Sequence, residues 1–301
     1  MKENYIEVEL DRNLLKQFGY DFKYPVDDIW FNSPGNKIIY FKKNGQDVNS
    51  IDIPSTYEYN GQKYKITQIA DRTFAYNTAL TSVTIPDSVT KIGRDVFMEC
   101  SSLTSIKLSN NIKKIDRYTF LYCSALKSII IPDGVTFIGE GVFLGCISLT
   151  SVKIPDSVTL IDDVAFSNCC SLKSVIIPKS VTKIGHTFCF CESLTSVEIP
   201  DGVTEIGDSA FNNCSSLTSI KIPNSVTRIG NSAFTDCSSL TSVTIPDSVT
   251  RIGDNAFADC SSLTSIIIPK TVTHIGANAF KNVEHIEYHG SAVPWGAKSI
   301  N

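Results

Sequence analysis

The chain has 301 residues and a formal net charge of −4; 42% of the residues are hydrophobic and only 19% are charged. It has no cluster of Lys and Arg of the kind that binds nucleic acid, and no apolar run approaches the roughly 20 residues that span a bilayer. We therefore expect no nucleic-acid partner and no insertion into a membrane.

Residues 1–47 are predicted to form a β-rich N-terminal cap. The stretch "DIWFNSPGNKIIYF" is typical of a hairpin that turns at Pro34 and Gly35. An aromatic ligand-binding module is the alternative, but 47 residues are few for an independent core. The opening "MKENYIEVELDRN" has acidic residues and lacks the apolar centre of a secretory signal. We expect a cytoplasmic protein if Met1 is the native start, and an extracellular or cell-surface protein if a leader was removed.

A repeat of 23 residues, shortened once to 22, follows the N-terminal segment. Such a period indicates a solenoid, in which each unit buries its apolar face against its neighbours. We predict a solenoid over residues 48–288 with eleven stacked strands, and a C-terminal capping segment over 289–301. The repeat is marked by the leucines Leu80, Leu103, Leu126, Leu149, Leu172, Leu194, Leu217, Leu240 and Leu263.

Each repeat unit contains the same sequence of short elements. The motif Leu-x-x-Val-x-Ile predicts a strand with three core-facing residues, and the Pro that usually follows ends it. An Asp/Asn-Ser/Gly turn leads to a second extended run, Val-Thr-x-Ile, and then to "xxAFxxC", which we predict to be a single helical or 3-10 turn. The recurring Phe of that segment predicts a stacked ladder in the core.

The combined motifs resemble the BspA-like leucine-rich-repeat family. The resemblance rests on stretches such as "SLTSVTIPDSVTRIGDNAFADC" and covers roughly residues 48 to 300. Residues 55–74 are similar to the first unit of that family, with a hairpin inserted at Asn60 and Gly61, and "YHGSAVPWGAKSI" is similar to its closing segment, where Trp295 would cover the last coil. The resemblance implies an α/β-repeat, right-handed parallel solenoid, and commonly a surface protein that adheres to host or microbial partners.

Eight of the ten cysteines occupy one column of the repeat. A disulfide framework is one interpretation of so many cysteines. However, equivalent residues of stacked strands lie about 4.8 Å apart with parallel Cβ vectors, whereas a disulfide needs Cβ atoms about 3.8 Å apart. We therefore predict reduced, buried thiols that act as small hydrophobic groups. The column is Cys100, Cys123, Cys146, Cys169, Cys191, Cys214, Cys237 and Cys260.

Two clusters that contain His are candidate metal or catalytic sites. His186, Cys189 and Cys191 lie in the unit that lost a residue, but no fourth ligand is evident and zinc normally takes four. His285 and His289, with Glu284 and Glu287, are interpreted as a solvated edge. No phosphate-binding glycine motif and no nucleophile–histidine–acid pattern is found. We predict a protein that is not an enzyme and has no catalytic residue, bound metal or cofactor.

The outward residues of the first strand are the candidate binding face. Its Ser column is almost constant, whereas the next outward column varies and contains three Ile. Strand propensity alone explains such residues as well as binding does. A flat hydroxyl ladder with Ile and Lys fits contact with a protein, or with a glycan, over a large area better than capture of a small molecule. The column is Thr84, Lys107, Ile130, Lys153, Ile176, Glu198, Lys221, Thr244 and Ile267.

Two functional hypotheses follow from these observations. The first is a non-catalytic protein-binding or adhesion module, a monomer at a cell surface, whose partner is a protein such as host extracellular matrix or a host cell-surface protein. The alternative is an intracellular leucine-rich-repeat scaffold or sensor. A signal peptide upstream in the native reading frame would favour the first.

Overall fold

Short parallel strands build the first sheet of the protein. The computed structural model describes residues 22–26, 29–32, 37–41, 49–59 and 62–290. Equivalent residues of neighbouring repeats pair in register, as Ser105 does with Ser82 and Ile106 with Val83. The described part of the chain contains eleven strands of this set, at Ser50–Asp52, Ser82–Thr84, Ser105–Lys107, Ser128–Ile130, Ser151–Lys153, Ser174–Ile176, Ser196–Glu198, Ser219–Lys221, Ser242–Thr244, Ser265–Ile268 and His285–Tyr288.

A turn after each strand of the first sheet directs the chain into a second parallel sheet. The carbonyl of Pro86 accepts the N–H of Val89 at 3.0 Å, and Pro132 and Val135 make the same bond. Pro fits this position because it ends the strand and leaves its carbonyl free to close the turn. The strands of the second sheet are Gln68–Ile69, Lys91–Ile92, Lys114–Ile115, Phe137–Ile138, Leu160–Ile161, Lys183–Ile184, Glu205–Ile206, Arg228–Ile229, Arg251–Ile252 and His274–Ile275.

The third side of each coil consists of turns. No helix occurs in the described residues, so the predicted helical or 3-10 turn around "xxAFxxC" is not found there. The N–H of Phe97 donates to Thr119 O of the next coil at 2.9 Å, and Glu99 N–H donates to Leu121 O at 2.7 Å. Asp95 and Glu99 also have φ values of 55° and 57°. Alternate amides are therefore bonded to the next coil, and the left-handed residues interrupt any helical series of bonds.

The phenylalanines stack through the interior between the sheets and the turns. Neighbouring rings have centroids 5.1–5.6 Å apart and interplanar angles of 2–19°. This offset stacking is a favoured aromatic arrangement. The predicted ladder is confirmed, and the chain is a parallel-strand solenoid with one continuous apolar core. The rings are Phe74, Phe97, Phe120, Phe143, Phe166, Phe188, Phe211, Phe234, Phe257 and Phe280.

Antiparallel strands precede the first full coils. Phe22–Val26 pairs with Ile29–Asn32, which pairs with Lys37–Phe41, and Lys37–Phe41 then runs parallel to Gln68–Ile69 of the second sheet. A hairpin of Thr56–Tyr59 and Gln62–Lys65 is inserted after the first strand of the first sheet. Trp295 lies outside the described residues.

Candidate functional site

The outer face of the first sheet carries the variable column identified in the sequence. Its nine residues alternate with the core residues of their strands; Thr84 is partly exposed and the other eight are exposed. Ile130, Ile176 and Ile267 are 78%, 70% and 52% exposed. These values place three of the larger exposed aliphatic side chains of the described chain in one column of one sheet.

The Thr residues that directly precede the Ser column form a further outward column, which we call the Thr column. Their hydroxyls donate hydrogen bonds to the main chain of the preceding coil. Thr104 Oγ1 donates to Thr81 O at 3.0 Å, and Thr150 Oγ1 donates to Lys127 O at 3.2 Å. Thr195 and Thr241 bond to the preceding coil in the same way. Because these hydroxyl protons already have acceptors, the Thr column mainly holds adjacent coils in register. The chemical variety of the face comes instead from its Lys and Ile side chains.

Lys127 and Lys173 belong to this face, and the sequence-based candidate set did not include them. They occupy the Thr column directly before the fourth and sixth strands of the first sheet, and both are exposed. The available signal was a column of Thr interrupted by Lys in only two of the repeats, on a face that already contained a variable column.

The column cysteines have a specific hydrogen-bonding geometry. Cys123 Sγ donates to Phe97 O of the preceding coil at 3.1 Å, and that carbonyl also accepts Cys100 N–H at 3.1 Å. All eight column thiols make the equivalent bond at 3.1–3.3 Å. All ten cysteines are free thiols, as predicted for the column. Burial raises the pKa of the column thiols, to about 12 at Cys100 and Cys260, so they stay protonated and unreactive at neutral pH.

The coil that lost a residue does not assemble its His and Cys side chains into a metal site. Cys191 lies in the core column and bonds to Phe166 O, while the buried Cys189 lies 2.8 Å from Ser167 Oγ. Only the main chain of His186 is anchored, by its N–H to Asp163 Oδ1 at 3.1 Å. Among residues 49–59 and 62–290, no three His, Cys, Asp or Glu side chains are grouped so that they could hold a metal ion.

One buried hydroxyl in the shortened coil has no hydrogen-bond partner among the described residues. In other coils Thr73 and Thr119 occupy the equivalent position, and each donates to the carbonyl three residues earlier. The residue three positions before Thr187 is Ile184, and its carbonyl accepts the N–H of Gly207 at 2.7 Å instead of the Thr187 hydroxyl. The deletion therefore accounts for the unpaired Thr187 Oγ1.

The histidines near the end of the solenoid lie on an exposed edge. His289 Nε2 is 2.8 Å from Glu287 Oε1, and both side chains are exposed, as are Glu284 and His285. This pair is open to solvent. In the part of the chain that the structure describes, no helix has the length and apolar character needed to cross a membrane.

The comparisons with known proteins agree with the geometry. Residues 67–188 and 185–289 match the BspA type leucine-rich repeat region in six copies. The chain belongs to this family. Leucine-rich repeat proteins of this kind are generally non-catalytic and serve as interaction modules. None of the curated proteins matches the chain.

Several solved bacterial structures resemble this leucine-rich repeat chain. A leucine-rich repeat protein from T. pallidum is 27% identical and has a TM-score of 0.56; the match covers 65% of this chain and 90% of that protein's chain. A leucine-rich repeat protein from Bacteroides ovatus is 26% identical and has a TM-score of 0.55; the match covers 92% of this chain and 87% of that protein's chain. The pneumococcal vaccine antigen PcpA, 21% identical with a TM-score of 0.62 over 88% and 81%, shares the fold.

Proposed function

We propose that this protein is a non-catalytic binding module that presents the outer face of its first sheet to a protein partner. The observation that carries the proposal is the column with Ile130, Ile176 and Ile267 exposed between charged and hydroxyl side chains. Burying such side chains against a partner removes apolar surface from water, which favours association. Because the coils repeat in register, the same face extends over many strands and supplies a large contact area.

Adhesion at a cell surface is the biological setting that we propose for this face. Proteins of the BspA type are typically surface-associated. A host extracellular-matrix or cell-surface protein is the proposed partner, and a glycan is the second choice. The module acts as a monomer in this proposal, which light scattering of the purified chain tests.

An intracellular scaffold or sensor is the second candidate function. The observation that favours it is the set of ten free thiols, because cysteines usually persist as thiols in reducing compartments. In the adhesion hypothesis, burial and the raised pKa of the column thiols protect them from oxidation instead. Localising the endogenous protein with an antibody on intact and permeabilised cells separates the two settings.

The binding face is tested with two matched sets of substitutions. The face set changes Ile130, Lys153 and Ile176 to Glu. The control set changes Lys91 and two exposed aliphatic residues on other surfaces, Ile147 and Leu160, each 45% exposed, to Glu. Both sets change two aliphatic residues and one Lys, so they alter the net charge equally.

Binding of the full chain and both variants to immobilised extracellular-matrix proteins is measured by surface plasmon resonance. The face set should abolish binding, while the control set should leave it intact. Circular dichroism should be unchanged in both variants, because all the substituted side chains are solvent-accessible. Loss of binding in the control set with retention in the face set would place the binding surface elsewhere.

A further inference from the structure

The charges on the outer face of the first sheet are unevenly distributed along the solenoid. Over the four strands from Ser105 to Ile176, each strand together with the residue before it contains one Lys and no acidic residue. Lys107 and Lys153 lie in the variable column, whereas Lys127 and Lys173 lie in the Thr column. The acidic residues of the variable column, Asp52, Glu198 and Glu287, lie outside these four strands. We call Lys107, Lys127, Ile130, Lys153, Lys173 and Ile176 the lysine–isoleucine patch.

The patch alternates with a period of two coils. Lys107, Ile130, Lys153 and Ile176 follow one another in the variable column. Lys127 and Lys173 lie three residues before the two Ile in the same coils, with an outward Ser between. Since neighbouring parallel strands lie about 4.8 Å apart, the lysines of one column lie roughly 10 Å from each other. Ile130, which is 78% exposed, therefore lies between two lysines of its column, whereas Ile176, which is 70% exposed, lies between Lys153 and Glu198.

The four lysines are not neutralised by ion pairs with the described residues. Elsewhere in the solenoid, cations do have such partners: Lys114 Nζ lies 2.8 Å from Asp116 Oδ2 and Arg94 Nη2 lies 3.1 Å from Asp71 Oδ2. Lys107 lies beyond ion-pair distance from Asp87. The pKa of that carboxyl is lowered mainly by hydrogen bonds from Asn110, and the charge of Lys107 contributes least. The positive charge of the patch is thus available to a partner.

We infer that the lysine–isoleucine patch docks a protein surface or extended segment in which acidic residues flank apolar side chains. This inference rests on the proposed function, because it specifies the chemistry of the partner at the same face. Carboxylates of the partner would lie against the ammonium groups, and its apolar residues would cover Ile130 and Ile176. Because the whole chain has a net charge of −4, this local positive charge would also orient the encounter with an acidic partner.

A protein fits the patch better than a polyanion does. Single-stranded nucleic acid is bound by stacking its bases on aromatic side chains as well as by positive charge. The outward residues of these four strands are Thr, Ser, Lys and Ile, without an aromatic ring. Two highly exposed Ile would remain unburied against a chain of phosphates or sulfates, whereas apolar side chains of a protein would bury them.

Selection from a random phage-displayed peptide library on the full chain tests the inference. The peptides enriched on the parent chain are expected to be acidic and to contain Leu, Ile, Val or Phe. Their affinity should fall at least about tenfold in the variant with Lys127→Glu and Lys153→Glu, because close like charges are strongly unfavourable at an interface. It should also fall in the variant with Ile130→Ser and Ile176→Ser.

The matched control carries Lys91→Glu and Lys270→Glu, two exposed positions away from the face with the same change in net charge. Peptide affinity should be retained in this control and should weaken as salt rises from about 0.01 M to about 1 M, where the screening length falls from about 30 Å to about 3 Å. All variants should keep the melting midpoint of the parent chain.

Other outcomes separate failure of this inference from failure of the proposed function. Selected peptides that depend on the face but are neutral or basic would overturn the acidic partner while leaving the face intact. Binding that tolerates both the Lys and the Ile substitutions, or no enrichment at all, would count against both. If heparin or polyglutamate bound as tightly as the selected peptides, and the Ile substitutions did not change that binding, the partner would be a polyanion and not a protein.

Discussion

The thiol of Cys146 donates a hydrogen bond to the carbonyl oxygen of Phe120 in the preceding coil, with Sγ and O 3.2 Å apart. The same carbonyl accepts the N–H of Cys123 at 3.1 Å. One Phe carbonyl thus joins two consecutive cysteines, one through its peptide group and the other through its side chain. A cysteine at this position supplies both a small buried volume and a donor directed along the solenoid axis.

We expect Cys146→Ser to destabilise the protein by about 1–2 kcal/mol, and no more than Cys146→Ala does. Serine keeps a donor that faces Phe120 O, whereas alanine removes the donor and leaves a small void. Urea unfolding of both variants measures the difference. As a control, Cys170→Ser at a partly exposed position outside the column should change stability by less than about 0.5 kcal/mol. A serine variant clearly less stable than the alanine variant would show that the hydroxyl is not accepted at this site.

The sequence predicted the core columns well because each column has one side-chain chemistry at a fixed interval. It did not reveal the bond from Cys146 to Phe120, because the two residues are 26 positions apart and meet only when the coils are stacked. The cysteine was therefore interpreted as a small hydrophobic group. The geometry adds the directional bond that distinguishes it from alanine.

The prediction of a helical turn fails for a related physical reason. The segment before each column cysteine has the composition of a short helical turn when it is considered alone. In the solenoid, the N–H of Phe120 is bonded to Val142 O of the next coil at 2.9 Å. Contacts between coils thus compete with local bonds, and the local pattern contains no information about the next coil. The unpaired lysines were equally hard to recognise, because a pairing depends on which acids come near in space.

Alkaline pH should destabilise the protein steeply. The column thiols titrate near pH 8.5 when unfolded, whereas burial raises their pKa in the folded protein, to about 12 at Cys100 and Cys260. Above about pH 8.5 the unfolded chain therefore binds fewer protons, and each such thiol lowers the free energy of unfolding by up to about 1.4 kcal/mol per pH unit. Stability is thus greatest below that window and is lost as the pH rises through it.

Urea unfolding at several pH values between about 7 and 10 measures this loss of stability. In the variant Cys123→Ala/Cys146→Ala, the free energy of unfolding should fall less steeply with pH than in the parent chain, since this variant lacks two of the thiols whose pKa is higher in the folded than in the unfolded protein. A free energy of unfolding that stays constant across this range would contradict the raised pKa values.

The native protein should show strongly unequal reactivity among its ten thiols. Thiolates are the reactive species, and the eight column thiols are buried, with raised pKa values. Cys170 is the partly exposed thiol, so it should react first with a maleimide at neutral pH. Mass spectrometry should find one rapid label in the folded state and ten after unfolding. The Cys170→Ser variant should lose the rapid label, and rapid labelling of several column cysteines would exclude this packing.

Substituting Gly145 should strain the turn side of the solenoid through its contact with Tyr122. A Cβ atom at Gly145 would lie 2.2 Å from Cδ1 of Tyr122. Gly145 has φ of 74°, but Tyr122 and Asn168 hold the equivalent position with positive φ, so the ring contact decides the cost. We expect Gly145→Ala to lower stability by about 1–2 kcal/mol. Combining it with Tyr122→Ser should recover part of this loss, and strictly additive effects in the double-mutant cycle would contradict the contact.

The segment before the solenoid is proposed to cap its first end, and a truncation tests this. The strand Lys37–Phe41 pairs with Gln68–Ile69, and Ile69 and the nearby Ile66 are buried. Deleting residues 1–47 leaves that strand edge without its partner, and an open edge promotes association between chains. We expect aggregation and a lower melting midpoint, measured by light scattering and calorimetry.

Replacing residues 56–65, whose two strands pair with each other, by a short Gly-Ser linker is the control that should stay monomeric. A truncated chain that remains monomeric with an unchanged midpoint would show that residues 1–47 are not a cap.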